Sequence, residues 1–422
     1  MIPGLANIIR IPDLRRKFLF TVGMLALFRL GSHIPVPGVD VARLQTLFSQ
    51  QGNVFGFIDL FVGGALSRFA LFALGVFPYI TASIIMSLLE VVFPRLKEIH
   101  REEGEGGRRK IGQYVLYLSV FLAVIQAVGQ TVLIRNLGAV LNPRPLLLAE
   151  IVVTLVAGTM VLTWMGSIMT EYGIGNGVSL IIFAGIVARL PNQISQTIGL
   201  VHVGEASVFR ALADVFIIIV SIVAVVIVTQ AARKVPIQYA KRIVGRRMVG
   251  GQSTHLPIRI ASAGVIPIIF AVSVMQFPST IAQFSRWPAL QKIGNLLTLS
   301  GTVGGMLYFV LIILFTYFYT AVSFDPEDVS DNIKKYGGFI PGIRPGRPTT
   351  DYLTRILERL TLVGALFLAL IAVGPIFLAR FTGQLTLYLT GTSLLIVVGV
   401  ALETMKQIEA YVLMRHYEGF MK

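Results

Sequence analysis

Ten apolar runs, each near the length needed to cross a bilayer, restrict the fold of this chain more than any other feature. They lie near 18–34, 75–93, 113–134, 146–168, 174–190, 209–230, 257–281, 303–324, 356–379 and 385–404. A hydrocarbon core asks for about 20 helical residues. Backbone inside it must satisfy its own hydrogen bonds, which leaves helices or a closed barrel. Only 14% of the 422 residues are charged and mean hydropathy is +0.77, where soluble domains carry about 25% charge. The sequence predicts an all-α polytopic membrane protein. The fifth run is the weakest, since Gly173-Ile174-Gly175-Asn176-Gly177 opens it and Pro191 is expected to close it. There is no cysteine, so neither a disulfide framework nor thiolate chemistry is available. The basic stretch Met1–Lys17 leads into the first run without a small-residue cleavage site, and that run is expected to be retained.

Ten spans put both termini on one side, with the loops around 95–112, 171–173, 231–256 and 325–355. Most of the 36 Lys and Arg fall there. Basic residues in short loops mark the cytoplasmic side, so both termini are expected in the cytoplasm. Lipid headgroups account for part of this charge, at roughly 1 kcal/mol per juxtamembrane cation. Two loops carry more. Arg233–His255 includes Lys241, Arg242, Arg246 and Arg247; Asp325–Tyr352 includes Lys334, Lys335 and a Pro-Gly-rich stretch that presents Arg344 on a stiff turn. They read either as lipid-facing charge or as a docking surface for an acidic or nucleic-acid-bearing partner. Gly104-Glu105-Gly106-Gly107-Arg108-Arg109 follows no strand and reads as a flexible loop.

The piece from Val54 to Leu66 is apolar but too short to span, carries Asp59, and is interrupted by Gly63-Gly64. It is either a surface helix or a segment that dips into the membrane where protein or a watery cavity surrounds it. An internal repeat favours the second. Gly75-Val76-Phe77-Pro78-Tyr79-Ile80 recurs as Gly264-Val265-Ile266-Pro267-Ile268-Ile269. Thr154-Leu155-Val156 recurs as Thr361-Leu362-Val363, and Gly177-Val178-Ser179-Leu180-Ile181-Ile182 as Gly391-Thr392-Ser393-Leu394-Leu395-Ile396. Spans two, four and five thus return as seven, nine and ten. Five spans reverse direction, so the two halves are inverted relative to each other, and such folds place their pathway at the seam. The repeat brings Ile80, Ile269, Ile182 and Ile396 to similar depth, with Val76 and Val178 one turn earlier. Branched aliphatics there make either plain packing or a constriction that gates by dewetting.

Carboxylates near spans (Glu90, Glu150, Glu171, Asp214, Glu403) sit towards their ends, and the five histidines lie in or near loops. No intramembrane ion relay, phosphate-binding loop, metal cluster or catalytic pair is expected. An ion-coupled transporter would need a buried carboxylate or cation site, and a membrane enzyme a catalytic pair. Directed transport then draws its energy from a partner.

Five segments in order carry a resemblance: Gly63-Gly64-Ala65-Leu66-Ser67-Arg68, Pro78-Tyr79-Ile80-Thr81-Ala82-Ser83-Ile84-Ile85, Gly173-Ile174-Gly175-Asn176-Gly177, Gln252-Ser253-Thr254-His255-Leu256-Pro257 and Phe339-Ile340-Pro341-Gly342-Ile343-Arg344-Pro345-Gly346. Over nearly its whole length the chain resembles the SecY family of protein-translocation channel subunits. The resemblance implies ten helices in two inverted five-helix halves around a central hourglass pore. Spans two and three face seven and eight across a lateral gate. It implies halves at 1–173 and 209–422, joined by the fifth span and a hinge at 174–208. A plug at about 54–68 would use Phe55, Phe57, Ile58, Leu60, Phe61, Gly63, Gly64 and Leu66. The pore ring would fall on Val76, Ile80, Val178, Ile182, Ile269 and Ile396, with valine at two places where the family often has isoleucine. Lys241, Arg242, Arg246, Arg247 and above all Arg344 would contact the ATPase SecA or the ribosome. Implied partners are SecE, SecG, signal sequences, unfolded preproteins, membrane lipids and, as an accessory, SecDF. The implied setting is the bacterial plasma (inner) membrane; no cofactor or enzymatic activity is implied.

Overall fold

The computed structural model describes residues 11–420 apart from 51–58, 60, 94, 97–98, 100–103, 205–206, 240–241, 245–246, 250–252, 262, 285–293, 295–296, 298–300 and 383–390. Among the described residues, seven helices of ten residues or more precede the first strand: α1 (Pro12–Gly31), α2 (Val41–Gln50), α3 (Phe77–Val92), α4 (Gly104–Asn136), α5 (Pro145–Tyr172), α6 (Gly177–His202) and α7 (Val208–Gln230). Strands β1 (Ala232–Tyr239), β2 (Arg242–Val244), β3 (Arg247–Val249) and β4 (Ser253–Arg259) follow. The chain then runs through α8 (Ile266–Phe284), α9 (Thr302–Ser323), α10 (Pro326–Lys335), β5 (Gly338–Phe339), α11 (Arg347–Thr382) and α12 (Gly391–Phe420). Each of the ten expected runs overlaps a helix. Among the described residues, seven helices are long and apolar enough to cross a membrane, and Phe77–Val92 and Ile266–Met275 are shorter apolar ones. α7 exposes Phe209, Leu212, Phe216, Ile219, Val223 and Ile227, which only a hydrocarbon solvent would favour. This is a multi-pass membrane protein.

Several boundaries differ from the sequence reading, each for a physical reason. The seventh span begins at Ile266, not near 257, because β4 pairs with β1 through Arg259. Pro191 lies inside α6, which continues to His202. A proline removes one hydrogen bond, and membrane helices tolerate this when neighbours satisfy the freed carbonyl. The Gly104–Arg109 stretch is not a loop but the first turn and a half of α4. Its glycines cost about 1 kcal/mol each, and the long apolar span behind them carries the helix outward.

The repeat is visible in the backbone. Gly75 and Gly264 adopt φ of 61° and 60°, a left-handed conformation that favours glycine. Each is followed by a helix with proline in its first turn, and each donates its N–H three residues back, Gly75 to Phe72 O at 2.9 Å and Gly264 to Ala261 O at 3.1 Å. Gly158 on α5 leaves no room for a side chain beside Leu71 O, and Gly364 on α11 none beside Ile260 O. Leu71 and Ile260 stand at equivalent places before the two bends. The structural match is therefore Gly158 with Gly364, one residue off the register that Thr154 and Thr361 suggest. The halves meet where α8 packs on α3 and α4, and where α6 packs on α12.

The Gly173–Gly177 turn ties the halves together. Ile174 N–H donates to Thr21 Oγ1 on α1 at 3.1 Å, and Gly175 N–H donates to Gln407 Oε1 on α12 at 2.8 Å. Asn176 then caps α6 by accepting from Ser179 N–H at 3.1 Å.

The two basic loops are one platform. β1 lies between β4 and β5, joined to β5 through Gln238 and Tyr239. Under this sheet Val235, Ile258, Ile340, Leu353, Ile356 and Leu357 form a separate apolar core. α10 is capped at its start by the Asp325 side chain and completes the platform.

Candidate functional site

The six aliphatics singled out by repeat and resemblance occupy the first two turns of α3, α6, α8 and α12. Val76, Ile80, Ile182, Ile269 and Ile396 are buried in a single apolar cluster, and Val178 is half-buried against it. Ile84 and Ile186, one turn beyond Ile80 and Ile182, are fully buried members of the same cluster; the sequence offered their i+4 spacing as a signal. Val178 also touches α5, where its Cγ2 would stand 2.9 Å from a Cβ at Gly166.

Residues 61–76 lie against this cluster. The short helix expected at about 54–68 falls in large part outside the described residues; of those described, Asp59 and Phe61 are helical, and the chain then turns repeatedly until α3. Phe55, Phe57, Ile58 and Leu60 fall outside the described residues. Gly63 and Gly64 have φ of 69° and 90°, which breaks any helix at Val62. Phe61 meets Phe77 edge-on at 6.1 Å, and Phe72 stacks on Phe28 of α1 at 6.1 Å. Gly185 of α6 presses on Phe61 O and Gly63. Leu66 belongs to a second cluster with Phe69, Leu44 and Leu155. Phe69 holds φ of 46°, the one non-glycine residue with positive φ among those described. Such strain, about 1–2 kcal/mol, persists only where surroundings fix it; here Phe69 is fully buried and its carbonyl accepts from Val36 N–H at 3.0 Å.

What fastens this loop comes from distant parts of the chain. Asp59, 2% exposed, pairs with Arg189 of α6. Its Oδ1 accepts from Ser67 N–H at 2.9 Å, and Arg189 donates to Ser67 Oγ at 3.2 Å. Arg29 of α1 donates to Gly63 O at 2.7 Å. Asp59, already seen in the short apolar piece, is thus a buried carboxylate held by an arginine. Asp59 and Arg189 are 130 residues apart, and nothing local in either stretch announces the pair.

On the platform, Arg344 is exposed on a turn between Gly342 (φ 81°) and Gly346 (φ 98°). The turn is pinned from below: Thr349 Oγ1 donates to Arg344 O at 2.9 Å and Ser330 Oγ to Gly346 O at 3.1 Å. Arg242 and Arg247 stand at the start of β2 and β3, facing Val249 and Val244 in register. Lys241 and Arg246 lie outside the described residues. No group of His, Cys, Asp and Glu suited to a metal occurs among the described residues.

The family model for SecY matches residues 70–405. Protein translocase subunit SecY of Halalkalibacterium halodurans is 47% identical over 434 residues, covering 100% of each chain. Among solved structures, one described as a protein conducting channel aligns with TM-score 0.66 at 20% identity, over 94% of this chain and 92% of the other. Sec61 in the canine ribosome-channel complex aligns with TM-score 0.64 at 19% identity, over 94% and 92%.

Proposed function

This chain belongs to the SecY family, and we infer that it is the channel-forming subunit of a protein translocase. The observation that carries the reading is that the first turns of four repeat-related helices bring their aliphatics together within the main apolar core, with an ion-paired loop seated against them. Ile80, Ile182, Ile269 and Ile396, with Val76 at the edge, form the constriction; Ile84 and Ile186 extend it by a turn. Apolar walls expel water and block ions, and flexible side chains close around a passing chain. Residues from about 54 to 68 are the plug, which an unfolded preprotein displaces. α3 and α4 against α8 and α9 are the lateral gate, through which a signal sequence partitions into lipid once the seam opens.

Both termini and the platform face the cytoplasm of a bacterium, at its plasma (inner) membrane, by the excess of basic residues on that side. Arg344 and the β2–β3 hairpin, carrying Arg242 and Arg247 with Lys241 and Arg246 nearby, dock SecA or the ribosome. SecE and SecG complete the complex, and SecDF assists it.

Reconstituted with SecE, SecG, SecA and ATP, the protein should move an unfolded preprotein into vesicles with no imposed ion gradient. Failure there, with gradient-driven uptake of a small solute instead, would favour an ion-coupled transporter, the reading that the Asp59–Arg189 pair admits.

A further inference from the structure

Three guanidiniums converge on the plug loop, and one carboxylate answers them. Arg29, Arg68 and Arg189 line a cavity of 290 Å³ between the loop, α1, α2 and the C-terminal part of α6, and among the described residues no carboxylate lines it. Asp59 is turned away into its pair with Arg189. Arg29 is close enough to both others to repel them. One guanidinium nitrogen of Arg68, Nη1, is sealed from solvent and has no hydrogen-bond partner. Gln193, 9% exposed, also lines the cavity with its Oε1 unpartnered, and a half-turn of its amide would present N–H donors instead. A buried donor without a partner costs about 1–3 kcal/mol, more when charged. Three cations around one cavity with a single carboxylate among them add to that cost. A loop that must seat reliably gains if something anionic fills that space.

We propose that this cavity binds one oxyanion of the phosphate class, and that the bound anion fastens the plug loop to α1 and α6. Guanidinium forks match the paired oxygens of phosphate, and Asn192 and Gln45 add amide donors on the same walls. The site lies at the ends of α1 and α6 remote from the β platform, where either inorganic phosphate or a lipid headgroup phosphate reaches it. The anion bridges loop residue Arg68 to helix residues Arg29 and Arg189, so it binds the seated loop and not the displaced one.

The test uses the whole complex in phosphatidylcholine nanodiscs with Leu66→Cys, the only thiol in this subunit. Alkylation of that cysteine follows the population of the unseated loop. Inorganic phosphate, titrated against chloride at fixed ionic strength, should slow it along a saturating curve. At about four times its Kd the slowing is about fivefold. Added Arg68→Gln should remove the response and Arg68→Lys restore part of it. If nanodiscs of phosphatidylglycerol give the slow rate without phosphate, the headgroup is the source. An alkylation rate independent of both phosphate and anionic lipid overturns the proposal, as does a response that Arg68→Gln leaves intact. The readout does not involve translocation, so it fails or succeeds separately from the channel reading.

Discussion

Asp59→Asn should unseat the plug loop. Asparagine keeps an oxygen where Asp59 Oδ1 accepts from Ser67 N–H, so the substitution removes charge and little else. What remains is Arg189 facing Arg29 and Arg68 with no carboxylate beside it. Breaking a fully buried pair by neutralising one partner costs about 3–5 kcal/mol. Arg189 retains 27% of its side-chain exposure, and water screens it, so about 2 kcal/mol is the better figure. That corresponds to a roughly 30-fold rise in the unseated population. Alkylation of Leu66→Cys in the assembled complex reads that population directly, and resting ion conductance in a planar bilayer reads its consequence.

Removing both charges should undo most of the damage, because an absent pair leaves no orphan. Asp59→Asn with Arg189→Met is expected to alkylate more slowly than Asp59→Asn alone, giving a coupling free energy well above 0.5 kcal/mol, the level at which independent sites still add. Two results would refute the reasoning: an Asp59→Asn rate within about twofold of the parent, the size of an ordinary surface change, or a double variant as fast as the single one.

Other expectations concern the remaining parts. Ile80→Ser with Ile269→Ser places hydroxyls in the constriction and should raise resting conductance; an unchanged conductance would make these plain packing residues. Arg344→Glu reverses an exposed charge on a pinned turn and should slow SecA-driven translocation at least about tenfold while the complex assembles normally. A wild-type rate would end the docking role. Gly158→Val and Gly364→Val each drive a side chain into a backbone carbonyl and should lower thermal stability by about 1–3 kcal/mol or more, equally in both halves. Gly112→Ala, with open space around it inside α4, should instead raise stability by up to about 1 kcal/mol.

Spans were legible because length and hydropathy alone identify a membrane helix, and the helix starts were legible because Gly75-Val76 and Gly264-Val265 repeat the same bend. Aliphatic clustering followed from that repeat. A spacing gives depth along a helix and not its rotation, so the added contact of Val178 with Gly166 of α5 could not be read from it. The platform was hidden because β1 pairs with β5 across two intervening spans, and a two-residue strand such as Gly338–Phe339 has no periodicity to detect. The Asp59–Arg189 pair was hidden for a related reason. Asp59 precedes a glycine-broken stretch and Arg189 sits near the expected end of a span, so each looked like a boundary residue by itself.

On the proposed reading, the loop and the constriction are sealed by different chemistry, and the difference suits a closure that must open. An apolar loop pressed on an apolar ring would be held by a force with no preferred register, proportional only to area. The pair of Asp59 with Arg189, the Ser67 N–H and the Gly63 carbonyl supply the register instead. Burying those charges costs several kcal/mol of hydration per ion, and that cost is recovered when the loop moves into a water-filled funnel. The latch is therefore weak in net free energy while remaining specific in position. On the proposed reading a polar chain entering the constriction needs to overcome only a few kcal/mol to displace it, and the loop returns to the seat where Arg29, Arg189, Asp59 and two backbone groups find their partners.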